Sequence, residues 1–263
     1  MAFRHAMLSS GERIVAEEVP IAFSYSGSTH AVMMGTPADL EDFAVGFSLS
    51  EGIITSATEV IAVDAVPAGD GIDVQVTLHD QRADALIARR RRMAGPVGCG
   101  LCGIESIEQA VRPVAKINDD GFQLRPSQIA EAVSLLSDAQ HLNRETRAVH
   151  GAGFYIPGQG IVAVREDVGR HNALDKLVGA VLLGGWQPSK GAVVVTSRLS
   201  VEMVQKAAIA GSAVLIAISA PTALAIRTAE ETGVTLVGIA RGQDFEIFTR
   251  PGRIIAEGNA HVA

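Results

Sequence analysis

Cysteine is nearly absent: two of 263 residues. No disulfide framework can be built from that number, and thiols this few are expected to stay reduced. Long apolar runs are missing as well. The longest uninterrupted one, Ala213 to Ile218, has six residues, where a membrane span needs about 20. The first residues, MAFRHAMLSSGERIVAEE, contain no apolar core of a secretory signal, so the expectation is a cytoplasmic chain with no membrane partner. Basic residues are outnumbered, 22 against 29 acids, for a net charge of −7. That excludes a general nucleic-acid coat, although a local basic patch can still grip one phosphate. Aromatics make up 4%, leaving few platforms on which bases could stack. Internal repeats and low-complexity tracts are also lacking. What the chain does have is 48% hydrophobic residues and 27 glycines. It is long enough for one large domain or two small ones with a real core and many tight turns.

The first half mixes short strands with one clear helix. Thr36-Pro37-Ala38-Asp39 reads as a helix start, with Thr36 as N-cap, Pro37 in the first turn and an acid after it. Leu40, Phe43, Ala44 and Phe47 then share one face, and Gly52 stops the helix. Residues 60–66 and 72–78 read as strands around a turn at Pro67 to Gly71. Ala83 to Arg92 reads as a helix ending in four arginines, Pro96 to Gly103 as a loop, and Ser127 to Ser137 as a helix capped by Ser127.

The second half alternates more regularly. Strands are expected at Phe154 to Ile156, Ile161 to Val164, Ala192 to Thr196, Ala213 to Ile218, Val234 to Ile239 and Phe245 to Thr249. Helices run from Ser200 to Gly211 and from Pro221 to Gly233. Strands alternating with such helices imply parallel βαβ units. In open sheets of this kind ligands bind beyond the carboxyl ends of the strands. The residues there are Ser197-Arg198, Ser219-Ala220-Pro221-Thr222 and Arg241-Gly242. Small hydroxyls, arginines and helix N-termini suit a phosphate or pyrophosphate, and the same hydroxyls also serve as plain helix caps.

Cys99 and Cys102 stand in GCGLCG. A structural zinc site would need a second pair of ligands, and a deaminase-type site would need His-x-Glu, which no histidine here provides. Gly98, Gly100 and Gly103 match a dinucleotide fingerprint literally, but RRMAGPV precedes them where a strand should be. Two readings remain open: a redox pair, or a carrier of sulfane sulfur as a persulfide. Arg89 to Arg92 would favour the thiolate in either case, unless they are simply a solvated helix end.

Arg165 to Lys176 (REDVGRHNALDK) is the densest polar stretch. Asp167 and His171 could orient each other there, and Arg170 could face an anion; a capped, solvated helix start is the plainer alternative. His150 lies in a His-Gly-Ala-Gly run read as a flexible polar patch before a strand.

Taken together, Thr36-Pro37 to Phe47 with Ser50-Glu51-Gly52, Cys99 to Gly103, EDVGRHNALDK, Ser197 to Val204, Ser219 to Thr222 and Gly238 to Gly242 resemble the formate dehydrogenase accessory sulfurtransferases, the FdhD family. The resemblance covers roughly residues 12–250. It implies a cytidine-deaminase-like layered α/β domain with a mixed, partly parallel sheet and a smaller N-terminal α+β region. The boundaries it suggests are 1–96 for that region, 97–110 for a mobile CxxC loop, and 111–263 for the α/β domain. It further implies that Cys99 takes sulfur from a cysteine desulfurase as a persulfide, with Cys102 as second thiol. The sulfur would pass to the molybdenum (or tungsten) bis(molybdopterin guanine dinucleotide) cofactor before its insertion into formate dehydrogenase. The family's cofactor-binding segment falls on Ile239, Ala240, Arg241, Gly242, Gln243 and Asp244. Ser197, Arg198, Ser219, Thr222, Arg170 and His171 complete the expected binding set. A homodimer and no permanently bound metal are also implied. One departure stands out: the family commonly reads Thr-His-Ala-Ala where this chain has Val149-His150-Gly151-Ala152. A dithiol oxidoreductase and a cofactor-binding chaperone without sulfur chemistry are the alternatives.

Overall fold

The structure is a computed structural model that describes residues 1–8, 11–80, 82–83, 114–117 and 121–255. The arginine run, the expected helix beyond residue 83, and both cysteines lie outside the described residues. The chain divides into two compact units. One is Met1–Pro113, His141–His150 and Arg165–Trp186; the other is Val114–Gln140, Gly151–Val164 and Gln187–Ala263.

The first unit holds two sheets and two long helices. β1 (Phe3–Leu8) and β2 (Gly11–Ala16) form a hairpin. β3 (Val19–Tyr25), β4 (Ser28–Gly35), β5 (Val60–Ala68) and β6 (Gly71–Leu78) form a sheet in the order β4-β3-β6-β5. The β5–β6 hairpin closes through Ala68↔Gly71, as its turn residues require. Helix α1 (Leu40–Ser50) packs on this sheet through aromatic rings. Phe23 of β3 stacks on Phe47 at 4.5 Å and meets Phe43 edge-on at 4.8 Å. Eight consecutive α1 residues, Phe43 to Ser50, are buried. A helix hidden all round needs a second neighbour, and that neighbour is the helix Arg170–Leu183.

The two helices touch backbone to backbone. A Cβ on Gly46 would lie 1.8 Å from the carbonyl oxygen of Asp175, and a Cβ on Gly179 would lie 1.8 Å from that of Asp42. Only glycine fits either position. Periodicity reveals the apolar face of α1 but is silent on this crossing.

The start of α1 differs from the sequence expectation. Asp39, in left-handed geometry, is the N-cap, and its side chain makes no capping bond. Thr36 is fully buried three residues earlier, with polar contacts of its own. The chain also caps Pro126–Ala139 (α2) at Arg125 rather than Ser127, with the Arg125 N–H donating to Gln128 Oε1 at 2.9 Å.

The second unit is organised by a mixed sheet in the order β12-β11-β10-β9-β7-β8. β7 is His150–Ile156, β8 Gly160–Asp167, β9 Ala192–Val195, β10 Val214–Ala217, β11 Thr235–Arg241 and β12 Asp244–Ile247. β9, β10 and β11 run parallel. β7 and β12 pair antiparallel on their flanks. The crossovers between the parallel strands are Val201–Ala210 and Ala223–Thr232, ended by left-handed Gly211 and Gly233 as the sequence predicts. The central strands are buried on both faces, which explains their unbroken Val, Ile, Leu and Ala runs. On one face, Ile129, Ala132 and Leu136 of α2 pack on Ala192, Val194, Val214, Ile216 and Val237. The expected α/β class with a mixed, partly parallel sheet is what the chain forms.

Replacing Gly46 or Gly179 by alanine drives a methyl into backbone that cannot retreat. Either change should cost about 3 kcal/mol or more of folding stability, read as a shift in the urea midpoint. Gly252→Ala, where nothing stands within 4 Å of the new atom, should leave that midpoint near its original value.

Candidate functional site

Two groups of candidate residues emerge, one in each unit. In the second unit the carboxyl ends of β9, β10 and β11 lead into three loops. Backbone hydrogen bonds stitch these loops together. Leu199 N–H donates to Ala220 O (3.3 Å), and Thr222 N–H donates to Leu199 O (2.9 Å). Ile218 N–H reaches Val195 O (3.2 Å), and Ile239 N–H reaches Ser219 O (3.2 Å). The segments containing Ser197-Arg198, Ser219 to Thr222 and Ile239 are therefore one connected edge, as expected for a doubly wound sheet.

The side chains on this edge have different duties. Thr222 Oγ1 accepts from Ala225 N–H at 3.2 Å and caps the helix Ala223–Thr232 (hereafter α6). The capping reading of Thr222 is correct. Ser197 is buried, and its hydroxyl donates to Arg198 O at 3.1 Å. Arg198 and Arg241 are exposed, and among the described residues neither guanidinium meets a carboxylate. Gly242, Gln243 and Asp244 are exposed in the β11–β12 turn, with Gly242 at φ 58°. Ala240 is 2% exposed and belongs to the core. That burial argues against a direct side-chain role for Ala240.

In the first unit the polar stretch turns mostly inward. Asp167 and Lys176 are both completely buried, with the ammonium 2.6 Å from the carboxylate. The Asp167 carboxylate also accepts from Thr36 N–H (3.0 Å), Gly169 N–H (2.7 Å) and Asn172 Nδ2 (2.9 Å). Lys176 donates further to Thr36 O at 2.8 Å and lies over the Phe43 ring. Val168 N–H takes Thr36 Oγ1 at 3.2 Å. Asp175 accepts from Ser50 Oγ at 2.7 Å. Asp167, Asn172, Asp175 and Lys176 thus serve the interior. Thr36, read from sequence as a helix cap, is a hub of this network. The N-cap of Arg170–Leu183 (α4; the short helix His141–Thr146 is α3 and Val201–Ala210 is α5) is Gly169, without a side-chain cap.

Three groups are less deeply buried. Arg170 and His171 are half-buried in the first turn of α4. His150 is also half-buried, and it opens strand β7 instead of lying in a flexible patch. Burial chiefly, with help from Arg170 and His171, lowers the pKa of His150; Asp167 pulls the other way. Glu166 is occupied, accepting from the N–H groups of Leu142 (2.8 Å) and Asn143 (2.9 Å) at the start of α3. Asp167 is fully committed to Lys176, Thr36, Gly169 and Asn172, so the expected mutual orientation of Asp167 and His171 is not the carboxylate's main work.

Gly151, where the sequence reading expects a difference from the resembled family, sits against a neighbouring side chain. A Cβ there would stand 2.5 Å from Gln140 Nε2 and 2.7 Å from Gln140 Cδ. The glycine makes room for a buried glutamine at the end of α2. Its N–H and C=O both meet Thr196, just beyond the end of β9.

Comparison with known proteins places this arrangement. The profile described as the FdhD/NarQ family matches residues 16–255. The chain belongs to the FdhD/NarQ family. A sulfur carrier protein FdhD of Agrobacterium fabrum is 66% identical over 254 residues, covering 97% of this chain and 94% of that one. One from Brucella abortus is 57% identical over 255 residues, covering 97% and 95%. The crystal structure of a protein assigned as a formate dehydrogenase accessory protein, from Desulfotalea psychrophila, superposes with a TM-score of 0.73. It is 27% identical and covers 96% of this chain and 97% of that one. Within this FdhD/NarQ member, no helix among the described residues is long and apolar enough to cross a membrane.

His150 supplies a test of the first-unit cluster. Its folded pKa lies below the unfolded value of about 6.5, so the unfolded chain binds the extra proton as pH falls through that value. Its contribution to stability is complete above about pH 6.5 and is lost below it. In His150→Gln the fall in melting temperature on acidification below pH 6.5 should be shallower than in the parent protein, as measured by thermal melts across that range.

Proposed function

We propose that this protein carries sulfur for the maturation of formate dehydrogenase. The observation that carries this reading is the pair Cys99 and Cys102, the only thiols of the chain, in a family whose close relatives are sulfur carriers. Cys99 as thiolate attacks the sulfane sulfur of a persulfide on a cysteine desulfurase. A new S–S bond forms at Cys99, the donor's S–S bond breaks, and the donor cysteine leaves as thiolate; no net oxidation occurs. Release follows when the Cys102 thiolate attacks Cys99 Sγ. The terminal sulfur departs as hydrosulfide with the bonding pair, and the two cysteines remain as a disulfide. A thiol reductant then restores the pair. The positive charge of Arg89 to Arg92 favours the thiolate in these steps.

The recipient substrate is the molybdenum (or tungsten) bis(molybdopterin guanine dinucleotide) group destined for formate dehydrogenase. Its diphosphates match the exposed guanidinium groups of Arg198 and Arg241, with Ser219, Gly242, Gln243 and Asp244 beside them on the strand-end edge. Arg170 and His171 offer a second anion-facing set in the other unit. The chain works in the cytoplasm as a homodimer.

Two experiments test the reading. After incubation with a cysteine desulfurase and cysteine, intact mass should rise by one sulfur atom, and Cys99→Ala should abolish the gain. No adduct on either cysteine overturns sulfur carriage. A reversible intramolecular disulfide with equal loss of function in Cys99→Ser and Cys102→Ser would point instead to a dithiol oxidoreductase. For the edge, Arg241→Ala should weaken binding of guanosine diphosphate roughly ten- to a hundredfold in calorimetry, whereas an unchanged dissociation constant removes Arg241 from the site.

A further inference from the structure

Ile239 has a backbone φ of 54°. For a β-branched side chain this left-handed geometry is a genuine outlier, because Cβ presses on the carbonyl oxygen. Glycine or asparagine would hold it at lower cost. Three features keep Ile239 there. Its N–H donates to Ser219 O at 3.2 Å. Gly238, just before it, is wedged: a Cβ would lie 3.0 Å from the Phe248 ring, 3.1 Å from Pro221 Cδ and 3.2 Å from Ser219 O. Pairing with β12 also slips between Gly238↔Glu246 and Arg241↔Asp244. Ile239 and Ala240 together oppose Phe245, which makes a β-bulge. The bulge sends Ala240 into the core at 2% exposure and leaves Ile239 only partly covered. Bulges and strained residues of this kind gather next to sites, where they aim neighbouring groups.

We infer that Ile239 is a positioning residue: its strained backbone pre-sets the Arg241–Asp244 turn against the Ser219 loop, so that the turn meets a nucleoside diphosphate already ordered. This rests on the nucleotide-binding reading of that edge given above. A turn ordered in advance loses less freedom when ligand arrives. The cost of the left-handed isoleucine is met during folding, not binding.

The test compares Ile239→Gly with Ile239→Ala, using thermal melts and calorimetric titration with guanosine diphosphate. In left-handed geometry the usual order of alanine over glycine reverses, so Ile239→Gly should melt roughly 2–4 °C above Ile239→Ala. The glycine variant should nonetheless bind guanosine diphosphate more weakly than the alanine variant, by roughly three- to tenfold, because its turn must be ordered on binding. A merely structural role would move the melts alone. If the glycine variant binds at least as tightly, Ile239 does not position the turn. If the alanine variant melts higher, the left-handed geometry itself is overturned. If the unaltered protein does not bind guanosine diphosphate, the nucleotide reading fails and takes this inference with it. The melting order then shows whether the backbone geometry was right.

Discussion

Asp167 and Lys176 place opposite unit charges where no water reaches, and the first unit is arranged to make that tolerable. Each charge alone in such an interior would be prohibitive, and removing one partner of a buried pair typically costs about 3–5 kcal/mol. Four donors surround the carboxylate: Lys176, Thr36 N–H, Gly169 N–H and Asn172. Two of them come from the turn that opens α4, and one from the segment between β4 and α1. The pair therefore fixes the start of one helix and the approach to the other. The glycine crossing of α1 and α4 then brings Asp42 and Asp175 carbonyls against Gly179 and Gly46. Half-buried Arg170 and His171 are bracketed by this anchoring, because Gly169 and Asn172 on either side of them both donate to the Asp167 carboxylate.

The second unit solves a different problem. Its parallel strands end in loops that would otherwise move independently. The Leu199–Ala220, Thr222–Leu199 and Ile239–Ser219 hydrogen bonds tie these loops into a continuous edge. Gly238 lets these loops close in: a Cβ there would stand 3.1 Å from Pro221 Cδ and 3.2 Å from Ser219 O, so both would have to give by a few tenths of an ångström. Arg198 and Arg241 are then exposed on a framework held together by backbone hydrogen bonds.

Much of this could be read in the residues alone. The apolar runs of β9, β10 and β11, the Gly211 and Gly233 stops and the cap at Thr222 are local signals, and they appear where expected. The strand-end edge follows from topology once those strands are known to be parallel. Other features depend on partners far away in sequence. Thr36 carries a good capping signature, but Asp167 and Lys176 claim its polar atoms from more than 130 residues away. Asp175 and Lys176 look like a solvated helix face until α1 covers them. Nothing in the local pattern around Gly46 or Gly179 announces a backbone contact. The left-handed Ile239 is invisible in sequence for a plainer reason: residue type argues against it, and only the surrounding contacts impose it.

The fit of Gln140 against Gly151 ties two positions on neighbouring elements to each other. A methyl added at 151 would stand 2.5 Å from the glutamine amide, so the end of that buried side chain would have to swing aside. Shortening residue 140 would instead leave a hole beside β7, with the cost of an unfilled gap. The side chain that residue 151 can carry therefore depends on what occupies position 140, and substitutions at the two places are not expected to add independently.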